Sequence, residues 1–133
     1  MQYFVPAVLL LAALIHLLPL VGVLGAAQLS TLYGISIHDP NLEMLMRHRA
    51  VLFGLLAAFL AYEACHRHLH GLALMAAAFS VVSFLLLALD TAHYNTAIAT
   101  VVKVDVGAAI ILLLSALVHA RAPPPSKDNC KVV

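Results

Sequence analysis

The chain contains no tryptophan, only two cysteines, and charged residues at just 10% of its 133 positions. Each shortage excludes a class of function. With a net charge of +1 and few aromatics, there is no basic stripe or aromatic array of the kind that holds nucleic acid. Cys65 and Cys130 stand too far apart for a close-spaced zinc pattern and are too few for a disulfide framework, so both read as unpaired thiols. No Lys or Arg precedes the first apolar run, which also exceeds the roughly 7–15 residues of a signal-peptide core. It therefore reads as a retained span, despite the small residues Gly25, Ala26 and Ala27 behind it. What fills the chain is apolar. Hydrophobic residues make up 64% of it, and the mean hydropathy of +1.04 lies far from the range of soluble domains. This is the composition of an integral membrane protein whose main partner is the lipid bilayer.

Four apolar stretches, about residues 3–24, 41–63, 72–89 and 97–119, are long enough to cross a hydrocarbon core of roughly 30 Å. Pro6 falls in the first turn of the first span, where a missing N–H costs least, whereas Pro19 is predicted to kink or loosen the helix. Between the first two spans, Leu29, Leu32 and Tyr33 form the apolar face of a short interfacial helix that Gly34 ends. Asp39 and Pro40 are a helix-start signal. CHRHLHG at 65–71 and DTAHYNT at 90–96 are short polar breaks, and Pro123–Pro125 stop the last helix before a polar tail, 123–133, read as disordered. The predicted fold is all-α: an antiparallel four-helix membrane bundle over residues 1–122, with a short interfacial segment between the first two spans.

Arg67, Arg121, Lys127 and Lys131 lie in the 2–3 connection or the tail, while the 1–2 and 3–4 connections hold no Lys or Arg. Both termini are therefore expected on the cytoplasmic side, where the thiols stay reduced. With that orientation, Arg47, His48 and Arg49 lie roughly 9–12 Å below the outer end of span two. Lys103 and Asp105 lie at a similar depth on span four, His16 is on span one, and Asp90 and His93 close the outer end of span three. The polar residues converge on the outer half. There Arg47, Arg49 and Lys103 can balance Asp39, Glu43, Asp90 and Asp105, with Glu43 and Arg47 in the favourable i,i+4 order.

Helical phase sets Arg47 and Arg49 about 200° apart, as it does Lys103 and Asp105. The small-residue stripe Glu43, Arg47, Ala50, Gly54, Ala57, Ala58, Ala61 makes Arg47 the expected inward residue. Arg49, sharing its face with Met46, Phe53, Leu56 and Leu60, is expected to snorkel outward. Between Lys103 and Asp105 the sequence does not choose.

An apolar first span, the LYGI…DPNLEMLMRHRAVLFGLL block, a VVSFLLLAL third span and YN…VVKVD leading into the fourth resemble a family of small bacterial four-helix inner-membrane proteins of unknown function. The resemblance covers about residues 5–118, with RHRAVLFG its most specific part, and extends more loosely to DoxX-like four-helix membrane proteins. It implies a bacterial cytoplasmic membrane location and supplies no catalytic residues. Members often carry the name phosphopantetheine adenylyltransferase. That soluble activity needs a nucleotide-binding α/β domain and an HxGH-type motif, for which HRHLHG is no match.

Three readings of the charged cluster follow. In the leading one the protein is an accessory or structural subunit, partnered by another membrane protein or by its own copies, with Arg47, Asp105, Lys103 and Asp90 as an ion-pair network that fixes helix register. In the second, Arg47 anchors a lipophilic anion or quinone-like molecule while His48, His93 or Asp105 moves protons. In the third, His16 and His48 hold haem or copper between adjacent spans, or His66, His68 and His70 bind a metal at the cytoplasmic rim. For the histidines the plainer reading is a hydrogen-bonded core residue and a basic topology anchor.

Overall fold

A computed structural model of the chain describes residues 3–66 and 68–121. It is an all-α bundle, with no strand among the described residues. Among the described residues four helical segments are long and apolar enough to cross a membrane: Phe4–Leu24, Pro40–His66, His70–Asp90 and Thr96–Arg121. The protein is a multi-pass membrane protein. The polar tail, with Cys130, Lys127 and Lys131, lies outside the described residues, as does Arg67.

The first span has two parts. Helix α1 covers Phe4–Leu17 and continues as a 3₁₀ segment, Leu18–Leu24. Pro19 is the cause, because it has no N–H to give to the carbonyl four residues back, and the tighter helix type follows at that point. Helix α2, Ala26–Tyr33, is the short amphipathic segment expected from the sequence. Leu29 and Tyr33 are buried, and Gly34 closes it in the left-handed region at φ 65°, where a side chain would be strained. Helix α3, Pro40–His66, starts at the proline, and the Asp39 carboxylate accepts hydrogen bonds from the backbone and side chain of Asn41. Helices α4, His70–Asp90, and α5, Thr96–Arg121, complete the bundle.

The bundle's two halves differ in packing. Toward the α3–α4 connection a continuous core joins Val8 and Leu9 of α1, Leu60 of α3, Ala73 and Ala77 of α4 and Leu112 of α5. At the opposite end, which carries α2, a smaller cluster of Leu29, Tyr33 and Ile37 caps the bundle against Met46 and Ile98. Asn95 ties this cap down. Its amide donates to the carbonyls of Tyr33 (2.8 Å) and Gly34 (3.1 Å), while its side-chain oxygen accepts from Ile98 N–H (2.9 Å), as a helix cap does. Between core and cap lies a cavity.

Candidate functional site

Helix α3 is rotated from the phase its small residues imply. Ala50 and Gly54 of the stripe do make a close contact, but with the 3₁₀ segment: a Cβ on Gly54 would stand 2.7 Å from Leu20 Cδ1, and one on Gly22 3.7 Å from Ala50 Cβ. That contact lies to one side of the bundle, and the larger Phe53 and Leu60 turn toward its middle. Small residues mark where two backbones approach; large ones fill the centre. The expectation for the two arginines is accordingly reversed. Arg47 is the outward residue, with its side chain 49% exposed; it lies 3.6 Å from Glu43 and donates from Nε to the Val23 carbonyl at 2.9 Å. Arg49 points in. Its guanidinium carbon lies 5.4 Å from the centre of the Tyr33 ring and 5.2 Å from that of Phe53.

On α5 the choice left open by the sequence falls to Asp105, which is 8% exposed and shares a buried face with Ala108, Leu112 and Ser115. Lys103 lies exposed on the helix, where its aliphatic stem can carry the ammonium toward the headgroups. Arg49 is nine residues past Pro40 and Asp105 nine past Thr96, so each lies about 14 Å along its helix from the α2 end.

Both face one cavity of about 200 Å³, whose lining includes His16, Tyr33, Phe53, Ser80, Thr100 and Val104. It opens where α1 gives way to the 3₁₀ segment, so that Ile15, Leu18 and Pro19 form one wall. His16 is 5% exposed and fixed on both ring nitrogens. Nδ1–H donates to the Ala12 carbonyl at 2.8 Å, and Nε2 is hydrogen-bonded to the Ser80 hydroxyl at 3.0 Å. Tyr33 covers the cavity from α2. Burial raises its phenol above the ordinary value, with the Arg49 cation opposing in part, so at neutral pH the hydroxyl keeps its proton and can donate.

The main feature is what these groups leave unused. Arg49 is held by two aromatic faces and no carboxylate, and Asp105 has no hydrogen bond or ion pair among the described residues. The two lie within electrostatic reach of each other and of His16. Glu43–Arg47 is the single ion pair within 4 Å among the described residues.

The other sequence candidates are dispersed. His48, Asp90 and His93 are exposed and line none of the described cavities, and Glu43 stays with Arg47 beside the 3₁₀ segment. The ion-pair network of Arg47, Asp105, Lys103 and Asp90 is therefore not formed. His48 does not face His16, so this pair makes no bis-histidine site, and no three metal-ligating side chains converge among the described residues. At the opposite end, His66 Nδ1 donates to the Tyr62 carbonyl and His70 Nε2 to that of Glu63, while His68 is exposed.

Two polar residues escaped the sequence reading. Ser80, one of two serines in an otherwise apolar third span, is the partner of His16. Glu63, 2% exposed, accepts the Leu69 N–H at 2.6 Å and so closes the turn into α4; a lone acid in the last turns of an apolar span was the available signal. Comparison of the chain with protein-family models, with curated proteins and with solved structures found no match.

Proposed function

We propose that this protein binds a lipophilic molecule with a compact, oxygen-bearing ring as its polar head, of the quinone or quinol kind, in the cavity between Arg49 and Asp105. The observation that carries this reading is a cation and a carboxyl group, both lining one largely apolar cavity and neither in an ion pair or hydrogen bond among the described residues. Buried charges are normally paired because leaving them alone is costly, and unspent groups of opposite kind in one cavity are how a site fixes a ligand's orientation. Arg49 supplies donors to a ring oxygen; Asp105 accepts from a ring hydroxyl and can take up or return its proton. Size supports a single ring, since a dry cavity of about 150 Å³ is enough to take up benzene and this one measures about 200 Å³. Haem is far larger.

The expected result is saturable, one-to-one binding of 2,3-dimethoxy-5-methyl-1,4-benzoquinone or its quinol to the protein in lipid nanodiscs, read by native mass spectrometry. Absence of saturable binding for both forms would refute the proposal.

We further assign both termini to the cytoplasmic side of a bacterial cytoplasmic membrane, because basic residues gather at the Arg67 and Arg121 end and are missing from the connections at the α2 end. Cys65, exposed at the α3–α4 connection, is a natural reporter. In a Cys130→Ser background, an impermeant maleimide should label Ser36→Cys in intact cells and reach Cys65 only after permeabilisation. The reverse pattern would invert the topology.

A further inference from the structure

A second chamber, of about 380 Å³, adjoins the ring cavity on the side toward the α4–α5 connection, and the two share Arg49, Phe53, Ser80 and Phe84 as a common wall. Its remaining lining comes from the last turns of α4, the α4–α5 connection and the first turn of α5, including Leu87, Ala88 and Ile98. The chambers differ in the charge they hold beyond the shared wall: Asp105 lines the inner one alone, whereas the outer one adds only hydroxyl groups, that of Tyr94 among them. In the outer one Ser83 Oγ already donates to the Ser80 carbonyl at 2.9 Å and Thr91 Oγ1 to that of Leu87 at 2.8 Å. The Ser80 hydroxyl is engaged by His16. Apart from Arg49 in the shared wall, nothing charged among the described residues lines it. The inner chamber, by contrast, holds Arg49 and Asp105 with no hydrogen-bonding partner.

We infer that the two chambers form one bipartite site, in which the inner cavity takes the polar ring and the outer chamber takes a flexible apolar tail, alkyl or prenyl, attached to that ring. This rests on the ring-binding reading above and extends it to a ligand class: a tailed ring compound rather than a free ring. Phe53 and Phe84 line both chambers. The tail gains little from burial as such, because lipid is already apolar. What the outer chamber provides is room, so the informative perturbation is to fill it.

Ala88 is half-buried in the outer chamber, does not line the inner one, and belongs to none of the polar groups above. Two probes are compared in nanodiscs at fixed probe-to-lipid ratio by native mass spectrometry: the tailless benzoquinone and its decyl derivative. Ala88→Trp should lower occupancy by the decyl probe at least about tenfold while holding the tailless probe within about twofold of wild type. Retained tailless binding shows that the variant is folded with its inner cavity intact. Leu18→Trp, at the other mouth of the inner cavity, should not discriminate against the tail. Equal binding of both probes to Ala88→Trp would overturn the inference and leave the outer chamber as a place filled by bulk lipid. Exclusion of the tail by Leu18→Trp instead would overturn it as well. Wild-type protein that binds neither probe would refute the ring-binding reading itself, and the bipartite site with it. Should Ala88→Trp lose the tailless probe too, Ala88→Leu makes the same comparison with a smaller plug, and failure of that variant to discriminate counts against the inference.

Discussion

Arg49→Met is expected to weaken binding of the tailless benzoquinone by about 10- to 150-fold, while Arg47→Met leaves it within about twofold. The size follows from what the guanidinium would contribute: a hydrogen bond to a charged group is worth about 1.5–3 kcal/mol, and about 1.4 kcal/mol is tenfold in affinity. The contrast follows from position. Arg49 lines the cavity and leans on Tyr33 and Phe53, whereas Arg47 is spent on Glu43 and on the Val23 carbonyl outside it. An exposed pair of that kind contributes little, so Arg47→Met should also be nearly silent in thermal stability. Arg49→Lys separates charge from shape. A lysine keeps the cation but loses the planar fork and its stacking on the rings, and should fall between wild type and Arg49→Met. Native mass spectrometry for occupancy and thermal unfolding in detergent check both halves. Equal losses at the two arginines would remove Arg49 from the binding role.

Why the sequence misassigned these arginines is itself physical. The number of spans, the break at Pro19, the α2 segment ending at Gly34 and the start of α3 at Pro40 were all legible, because each depends on local chemistry: apolar length, a missing N–H, a permissive backbone, a helix-start pair. Gathering of the polar residues toward one end was legible too, since helix rise converts chain position into depth. Rotation about the helix axis was not. In a membrane the usual guide fails, because the lipid-facing side is as apolar as the core and hydrophobicity no longer distinguishes in from out. Small residues were the only remaining cue on α3, and they report the nearest neighbour, here the 3₁₀ segment, rather than the bundle centre. The His16–Ser80 bond was beyond reach for a related reason: it joins residues 64 apart in the chain, across two helices whose relative rotation is fixed by all the others.

Asp105→Leu is expected to make the protein more stable and to abolish quinol binding, a combination that separates a binding site from a structural network. A buried polar group without a partner costs about 1–3 kcal/mol, and the largely buried Asp105 side chain, facing the cavity with no hydrogen bond among the described residues, bears part of that cost. Leucine removes that cost, and the cavity in front of it gives the extra methyl groups space instead of a clash. Its unfolding midpoint in detergent should therefore rise, even though the group that accepts the quinol hydroxyl is gone. Active sites retain such residues at the expense of stability. Under the network reading the sign is opposite: deleting the acid would orphan a buried cation and lower the midpoint, as breaking a buried pair does by about 3–5 kcal/mol. The double variant sharpens the test. Adding Asp105→Leu to Arg49→Met should raise the midpoint here too, because the unpartnered carboxyl is the costly group whichever residue stands at position 49. Binding should stay absent in the double variant despite the raised midpoint. If Asp105→Leu instead lowers the midpoint while quinol binding persists, the carboxyl is holding the bundle together and the ligand does not touch it.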